Sequence, residues 1–310
     1  MNNRIERYQA LLENVVCNLC GADDFDVIYP PQYELARPEE ILNNFRSSGD
    51  EKLLDQLVRC KKCGLVYLNP RLHSDVVIEG YRSGSDETFV SQIEGREKTF
   101  ANSLKLIERY KPQRGRLLDI GTAGGSFMSV AKETGWRVEG CEPNRWMCEW
   151  ANNHYGLQIV SGTVLDMQLA PESFDVVTLW DVLEHTPDPK ATLKECKRAL
   201  KPGGLLVVNY PDIQSAVARL MGRRWVFLLS VHLYYFTKRT LTRMLNDLGF
   251  RVVKVRRHWQ TLELGYILFR MEAYLRPIAR GLGWLAKRLG IARLQIPYWM
   301  GQMLVISEKL

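Results

Sequence analysis

The sequence predicts an α/β fold: a doubly wound parallel sheet with a small module before it and a helical insertion ahead of its last strand. Three observations predict it. Short apolar runs alternate with helix-like patterns from about residue 99 to 256, the signature of βαβ units. A glycine-rich turn joins the first of these runs to a helix. Two C-x-x-C-G units are confined to the first 80 residues. The chain has 310 residues, 46% hydrophobic and 25% charged, which excludes wholesale disorder and a collagen-like fibre.

The alternating region opens with a helix at 100–110. Strands are expected at 116–120, 137–142, 157–160, 174–179, 205–209 and 251–255, with a seventh at 302–306. Helices fall between them at 145–154, 191–200 and 240–248, the last closed by Gly249. Ahead of the final strand, Leu264, Ile267, Met271, Tyr274, Ile278, Leu282, Leu285 and Leu289 recur every three or four residues, and Pro277 breaks that run into two helices. The division is then 1–80 for the cysteine module, 81–258 for the core, 259–300 for the helical insertion and 301–310 for the closing strand.

The net charge of +7 is uneven: residues 251–310 carry +8 and residues 1–250 sum to −1. A near-neutral body with one basic end fits an anionic membrane surface or partner at that end at least as well as nucleic acid. The longest stretches without ionised side chains, 294–307 and 225–237, fall short of the roughly 20 apolar residues of a spanning helix. The first residues lack the apolar run and cleavage pattern of an export signal. The expected location is the cytoplasm, and membrane association is one of the readings of the basic end.

Cys17 and Cys20, and again Cys60 and Cys63, stand two residues apart and are followed by Gly21 and Gly64. Two such thiolates can grip one ion, and the glycine allows the turn that points backbone N–H groups at the sulfurs. Four thiolates suit tetrahedral Zn²⁺ and close its coordination, so the site is expected to be structural. An insertion separates the two knuckles, with a helix expected near 38–57. In the absence of an export signal, disulfides are not expected.

The run LLDIGTAGGSF at 117–127 reads as a strand, a turn and a helix start, where backbone can approach a ligand and the helix end favours an anion. Glu142 closes the next strand, 21 residues after Gly121, where a carboxylate can accept from both hydroxyls of a ribose. Dinucleotide folds share both features. Asp166 follows the third strand, placed to accept from an adenine amino group. The strand at 174–179 runs into DVLEH at 181–185, polar residues at the carboxyl edge where such sheets bind ligands. An LKPGG turn follows at 200–204.

In this order the motifs resemble the class I S-adenosylmethionine-dependent methyltransferases over about residues 100–256, a family with a Rossmann-like seven-stranded sheet. Its D-x-G-x-G-x-G loop stands here at 119–125, with Ala123 in place of the middle glycine. The resemblance implies that Asp119, Gly121, Thr122 and Gly125 belong to the loop around the methionine part. Glu142 would hold the ribose and Asp166 the adenine, with Trp180 and Asp181 lining the methyl-donor pocket; Trp180 reads equally as a core residue. The knuckles and the run CKKCGLVYLNP at 60–70 narrow the likeness to bacterial methyltransferases with an N-terminal zinc-binding domain. Members act on sugar nucleotides, polysaccharide components and other small metabolites. The run HLYYFT at 232–237 also matches, although Val231 stands where the group often has a Glu.

The implied reaction is in-line methyl transfer to a small molecule, a sugar nucleotide, glycan precursor or lipid-linked intermediate. A hydroxyl or acidic-carbon acceptor also needs a base. His185 and His232 are the candidates, each read alternatively as a loop-holding residue; Tyr235, with Tyr234, reads as orienting substrate or as core. The basic segment 262–295 has several readings. It packs as a cap, forms a dimer face, or meets a membrane through Trp284, Leu285 and Leu289 with its cations on lipid phosphates. Nucleic acid is disfavoured, because no aromatics interleave with the basic residues in a stacking pattern. Two competing classes are an NAD-dependent oxidoreductase, which would want a glycine at Ala123, and a non-catalytic binding module on the same fold.

Overall fold

The computed structural model describes residues 2–35, 53–83 and 87–310. Most of the helix expected at 38–57 lies outside the described residues, and at its described end Leu57 opens a strand. The N-terminal module is a small antiparallel sheet of β1 (Phe25–Tyr29), β2 (Leu57–Cys60) and β3 (Val66–Leu68).

The core follows in alternating order: α1 (Ile93–Glu108), β4 (Arg116–Ile120), α2 (Ser126–Glu133), β5 (Arg137–Glu142), α3 (Arg145–Tyr155), β6 (Val160–Ser161), β7 (Phe174–Trp180), α4 (Pro189–Ala199) and β8 (Leu200–Pro211). After β9 (Tyr234–Tyr235) come α5 (Lys238–Asp247), β10 (Phe250–Arg257), β11 (Gln260–Glu263), α6 (Leu264–Arg288), β12 (Gln295–Tyr298) and β13 (Gln302–Lys309). The large sheet has the expected seven strands, in the order β10-β13-β8-β7-β4-β5-β6, although the third is shorter and later than the expected 157–160, being only Val160–Ser161 at the sheet's edge. From β8 to β6 all pairs are parallel, whereas β13 is antiparallel to both of its neighbours. Its residues Leu304, Val305 and Ile306 are buried, which holds the last strand inside the sheet rather than at its edge.

Buried strands of a covered sheet read as near-continuous apolar runs, and β7 is one. Alternate residues feed opposite faces: Val176 packs with Leu104, Ile107 and Phe127, while Val177 joins a larger core that continues into the N-terminal module. That continuity has a backbone counterpart. β9 adds a fourth strand to the module's sheet, with Tyr234 opposite Tyr67 and Tyr235 opposite Val66. Asn18 Nδ2 also donates to Asp188 Oδ1 at 2.9 Å, and Lys190 Nζ to the Leu19 carbonyl at 2.7 Å.

The insertion is a two-stranded hairpin, β11 against β12, carrying α6 at its tip. As expected, the run is two helices, α6 being broken by a kink at Leu275, whose backbone is non-helical (φ −136°, ψ 53°), two residues before Pro277. Beyond the bend the apolar stripe is turned outward. Ile278, Leu282, Trp284, Leu285 and Leu289 are exposed, and the buried positions are the small Ala279 and Ala286. The stripe past Pro277 is therefore not a cap packed on the core.

Candidate functional site

At the carboxyl edge of β4 the chain turns through Gly121 (φ +66°), whose N–H donates to the Cys141 carbonyl at 2.9 Å. A Cβ here would stand 2.5 Å from Val182 Cγ2, so glycine meets both the backbone angle and the close approach. Thr122 is buried and donates its N–H to the same carbonyl at 3.2 Å. Ala123 takes a positive φ of 46°, the conformation its glycine predecessor in the motif would adopt freely. Gly125 (φ +76°) caps α2.

The loop is tied to Glu142. The Ala123 N–H donates to Glu142 Oε2 at 2.8 Å and the Asn144 N–H to Oε1 at 2.9 Å. Each oxygen thus has one protein donor and keeps a lone pair for a ligand hydroxyl. Burial pushes the Glu142 carboxyl up to about 6. Asp119 lies beneath the loop, not in it: it is buried and accepts from Thr178 Oγ1 at 2.6 Å, and burial raises it to about 8.

Asp166 is exposed on the turn after β6. Its Oδ2 accepts from the Thr163 N–H (2.8 Å) and hydroxyl (2.9 Å), bonds that hold it below the usual carboxylate range. Asp181 follows directly on β7, at a positive φ of 53°. Asn209 clamps it twice, accepting from its N–H at 2.6 Å and donating to Oδ1 at 2.7 Å, while Gln260 Nε2 donates to Oδ2 at 3.1 Å. Sequence reasoning missed Asn209 and Gln260, and the hairpin of the insertion is what brings the latter to the sheet edge. Of the two readings of Trp180, the structure displays packing: its ring lies 4.8 Å from Phe127 and 5.3 Å from Phe100, centroid to centroid.

The remaining candidates lie together on the module side of this edge. His185 and His232 pack ring edge to face, 4.6 Å apart, and burial pushes both below the ordinary histidine range, His185 to about 4. His232 Nδ1 faces the Phe227 carbonyl at 2.8 Å. Tyr235 is fully buried, with its hydroxyl donating to the Leu229 carbonyl at 2.6 Å and accepting from the Leu229 N–H at 2.9 Å. Those two bonds hold a loop. Glu184, quoted in DVLEH but given no role there, is buried beside the two histidines.

The four knuckle cysteines converge. Cys17 and Cys63 sulfurs are 3.4 Å apart, Cys20 and Cys60 sulfurs 3.5 Å. Matching turns support them: the Gly21 N–H donates to the Cys17 carbonyl and the Gly64 N–H to the Cys60 carbonyl, with both glycines at positive φ. This donor set fits a tetrahedral thiolate-bound ion.

Comparison with known proteins bears on the fold and the family. A ubiquinone biosynthesis O-methyltransferase of Idiomarina loihiensis is 39% identical over 98 residues, 29% of this chain and 39% of that protein. One from Coxiella burnetii is 28% identical over 132 residues, 40% of this chain and 56% of that protein. The chain thus spans about half or less of the length of these curated relatives. The crystal structure of a SAM-dependent methyltransferase from Archaeoglobus fulgidus shares the fold, with a TM-score of 0.50 at 19% identity over 72% of this chain and 100% of that one. The model of a methyltransferase domain family matches residues 93–255, more than half of the chain, a span that holds the glycine loop, Glu142, Asp166 and Asp181. This chain belongs to that methyltransferase domain family.

Proposed function

We propose that this chain transfers a methyl group from S-adenosylmethionine to a small-molecule acceptor. The observation that carries the reading is Glu142, buried at a strand end, tied to the glycine loop and still able to accept two hydroxyls. Bound S-adenosylmethionine supplies a methyl group already activated on a sulfonium. The chain's part is to hold and orient. Backbone at Gly121, Thr122 and Gly125 surrounds the methionine part, Glu142 takes the ribose hydroxyls and Asp166 the adenine amino group. Asp181, fixed by Asn209 and Gln260, walls the pocket on the acceptor side. Holding the acceptor in line can be worth roughly 7–11 kcal/mol.

The names of the relatives support an oxygen acceptor, and a hydroxyl on a sugar nucleotide, glycan precursor or lipid-linked molecule belongs to that class. A lipid-borne acceptor is favoured by α6. It sets exposed Trp284, Leu285 and Leu289 beside Arg280, Lys287 and Arg288, with the Arg288 guanidinium 5.3 Å over the Trp284 ring. Among the described residues no helix is long and apolar enough to cross a membrane, so the proposed contact is peripheral. Zn²⁺ on Cys17, Cys20, Cys60 and Cys63 has a structural role, since four thiolates leave no open position.

Calorimetric titration tests the cofactor. Micromolar binding of S-adenosylmethionine and S-adenosylhomocysteine, none of NAD, and loss of binding in Glu142→Ala are expected; binding of NAD instead would overturn the reading. For the surface, co-sedimentation with phosphatidylglycerol vesicles is expected, against little with phosphatidylcholine, and Trp284→Ala with Leu285→Ala should weaken it. Equal sedimentation with both lipids would remove the membrane proposal.

A further inference from the structure

We propose that Glu184, His185 and His232 form a second cation site, for a divalent first-row transition ion. A carboxylate oxygen of Glu184 and a ring nitrogen of each histidine lie within 4.8 Å of one another. Glu184 is only 1% exposed, and among the described residues its oxygens find no hydrogen-bond partner beyond a contact from its own backbone N–H. A carboxylate taken out of water in this way is costly unless a cation or donors compensate it. The charge beside it makes matters worse, since Asp181 is a second carboxylate, and the Arg96 cation acts on Asp181. A bound divalent ion removes both difficulties.

The histidines are prepared for the role. Nδ1 of His232 faces the Phe227 carbonyl at 2.8 Å; Nδ1 of His185 faces the Val231 carbonyl at 3.0 Å and the Tyr81 hydroxyl at 2.6 Å. A carbonyl can only accept, so the ring proton is assigned to Nδ1 in both, and Nε2 is left with its lone pair. Fixing a tautomer through a backbone carbonyl is the usual outer-shell support of a metal-bound imidazole. Two imidazoles and one carboxylate suit Zn²⁺, Fe²⁺ or Mn²⁺ better than Mg²⁺ or Ca²⁺, and leave positions open. His185 keeps partial exposure, which gives the ion a way in. The open positions take water or, on the reading of this chain as a methyltransferase, an acceptor oxygen whose proton the ion would make easier to lose.

The test is a metal count. Full-chain protein is dialysed against micromolar Zn²⁺, freed of loose ion by gel filtration and analysed by mass spectrometry for zinc per chain. Wild type should hold one cation more than Glu184→Gln and one more than His232→Asn, whatever the cysteines hold and whether or not S-adenosylmethionine binds. Equal counts in wild type and folded variants would overturn the proposal. Should the variants fail to fold, Co²⁺ titration of the wild type decides. A second equivalent adding weak visible absorption without sulfur charge-transfer bands supports the site; uptake ending at the thiolate-type spectrum overturns it.

Discussion

Tyr234 faces Tyr67 across an antiparallel bridge, their rings stacked with centroids 6.4 Å apart, so a strand of the core completes the sheet of the cysteine module. Arg71 seals the junction, donating from Nη1 to the Tyr234 hydroxyl at 2.8 Å. The segment that carries His232 and Tyr235 therefore depends on the knuckles. Stripping zinc with a chelator should lower the midpoint of thermal unfolding and change the near-ultraviolet tyrosine signal, and both should return when zinc is restored. An unchanged midpoint would mean that the four thiols hold the module without an ion.

If Glu142 holds the ribose as proposed, cofactor binding depends on pH. Its carboxyl is raised to about 6 by burial, and only the ionised form accepts from both ribose hydroxyls without competing as a donor. Affinity for S-adenosylhomocysteine should fall as the pH drops through about 6. Glu142→Gln should lose about 1.5–3 kcal/mol of binding and flatten the profile, as charge-assisted bonds are replaced by neutral ones. Calorimetry from about pH 5 to 8 checks it, and a flat wild-type curve would exclude Glu142 as the ribose ligand.

Asp119 gives the fold an opposite demand. Its folded value of about 8 lies above the ordinary carboxylate range because it is buried. The folded chain then binds the proton more tightly than the unfolded chain. This contribution to stability is full below the unfolded value and is lost as pH rises through about 8. Asp119→Asn, which keeps the shape and cannot ionise, should show a smaller loss of stability as the pH rises from about 4 to about 8 in urea unfolding. A steeper loss in the variant would contradict the assignment.

Tyr235→Phe separates a loop-holding role from a chemical one. The change removes both bonds to Leu229. A cost of about 1–3 kcal/mol in unfolding free energy is expected, with cofactor affinity unchanged. Full stability with loss of methyl transfer would instead give the hydroxyl a direct part in the reaction.

Much of this was legible along the chain. The strand-turn-helix at 117–127 is a local pattern, and Gly121 sits at positive φ where the motif requires it. The two knuckles announce themselves by spacing, and Cys17 meets Cys63 across 46 residues because each turn is already formed by its own glycine. Gln260 gave no such signal. It lies 79 residues from Asp181 and reaches it only because the insertion begins with a hairpin that crosses the sheet edge. Nor did the apolar repeat of α6 say which way it faces, since periodicity defines a stripe and not its partner.

By itself the sequence determined the seven strands, the glycine loop, Glu142 as its carboxylate and the four-cysteine set, because each is written in neighbours or in a fixed period. The tertiary structure alone decided that the last strand runs antiparallel inside the sheet and that β9 welds the module to the core. It also decided that Glu184 is buried beside two histidines with, among the described residues, no donor but its own backbone N–H. These depend on which distant surfaces pack together, and that is set by the burial of whole faces rather than by any local pattern.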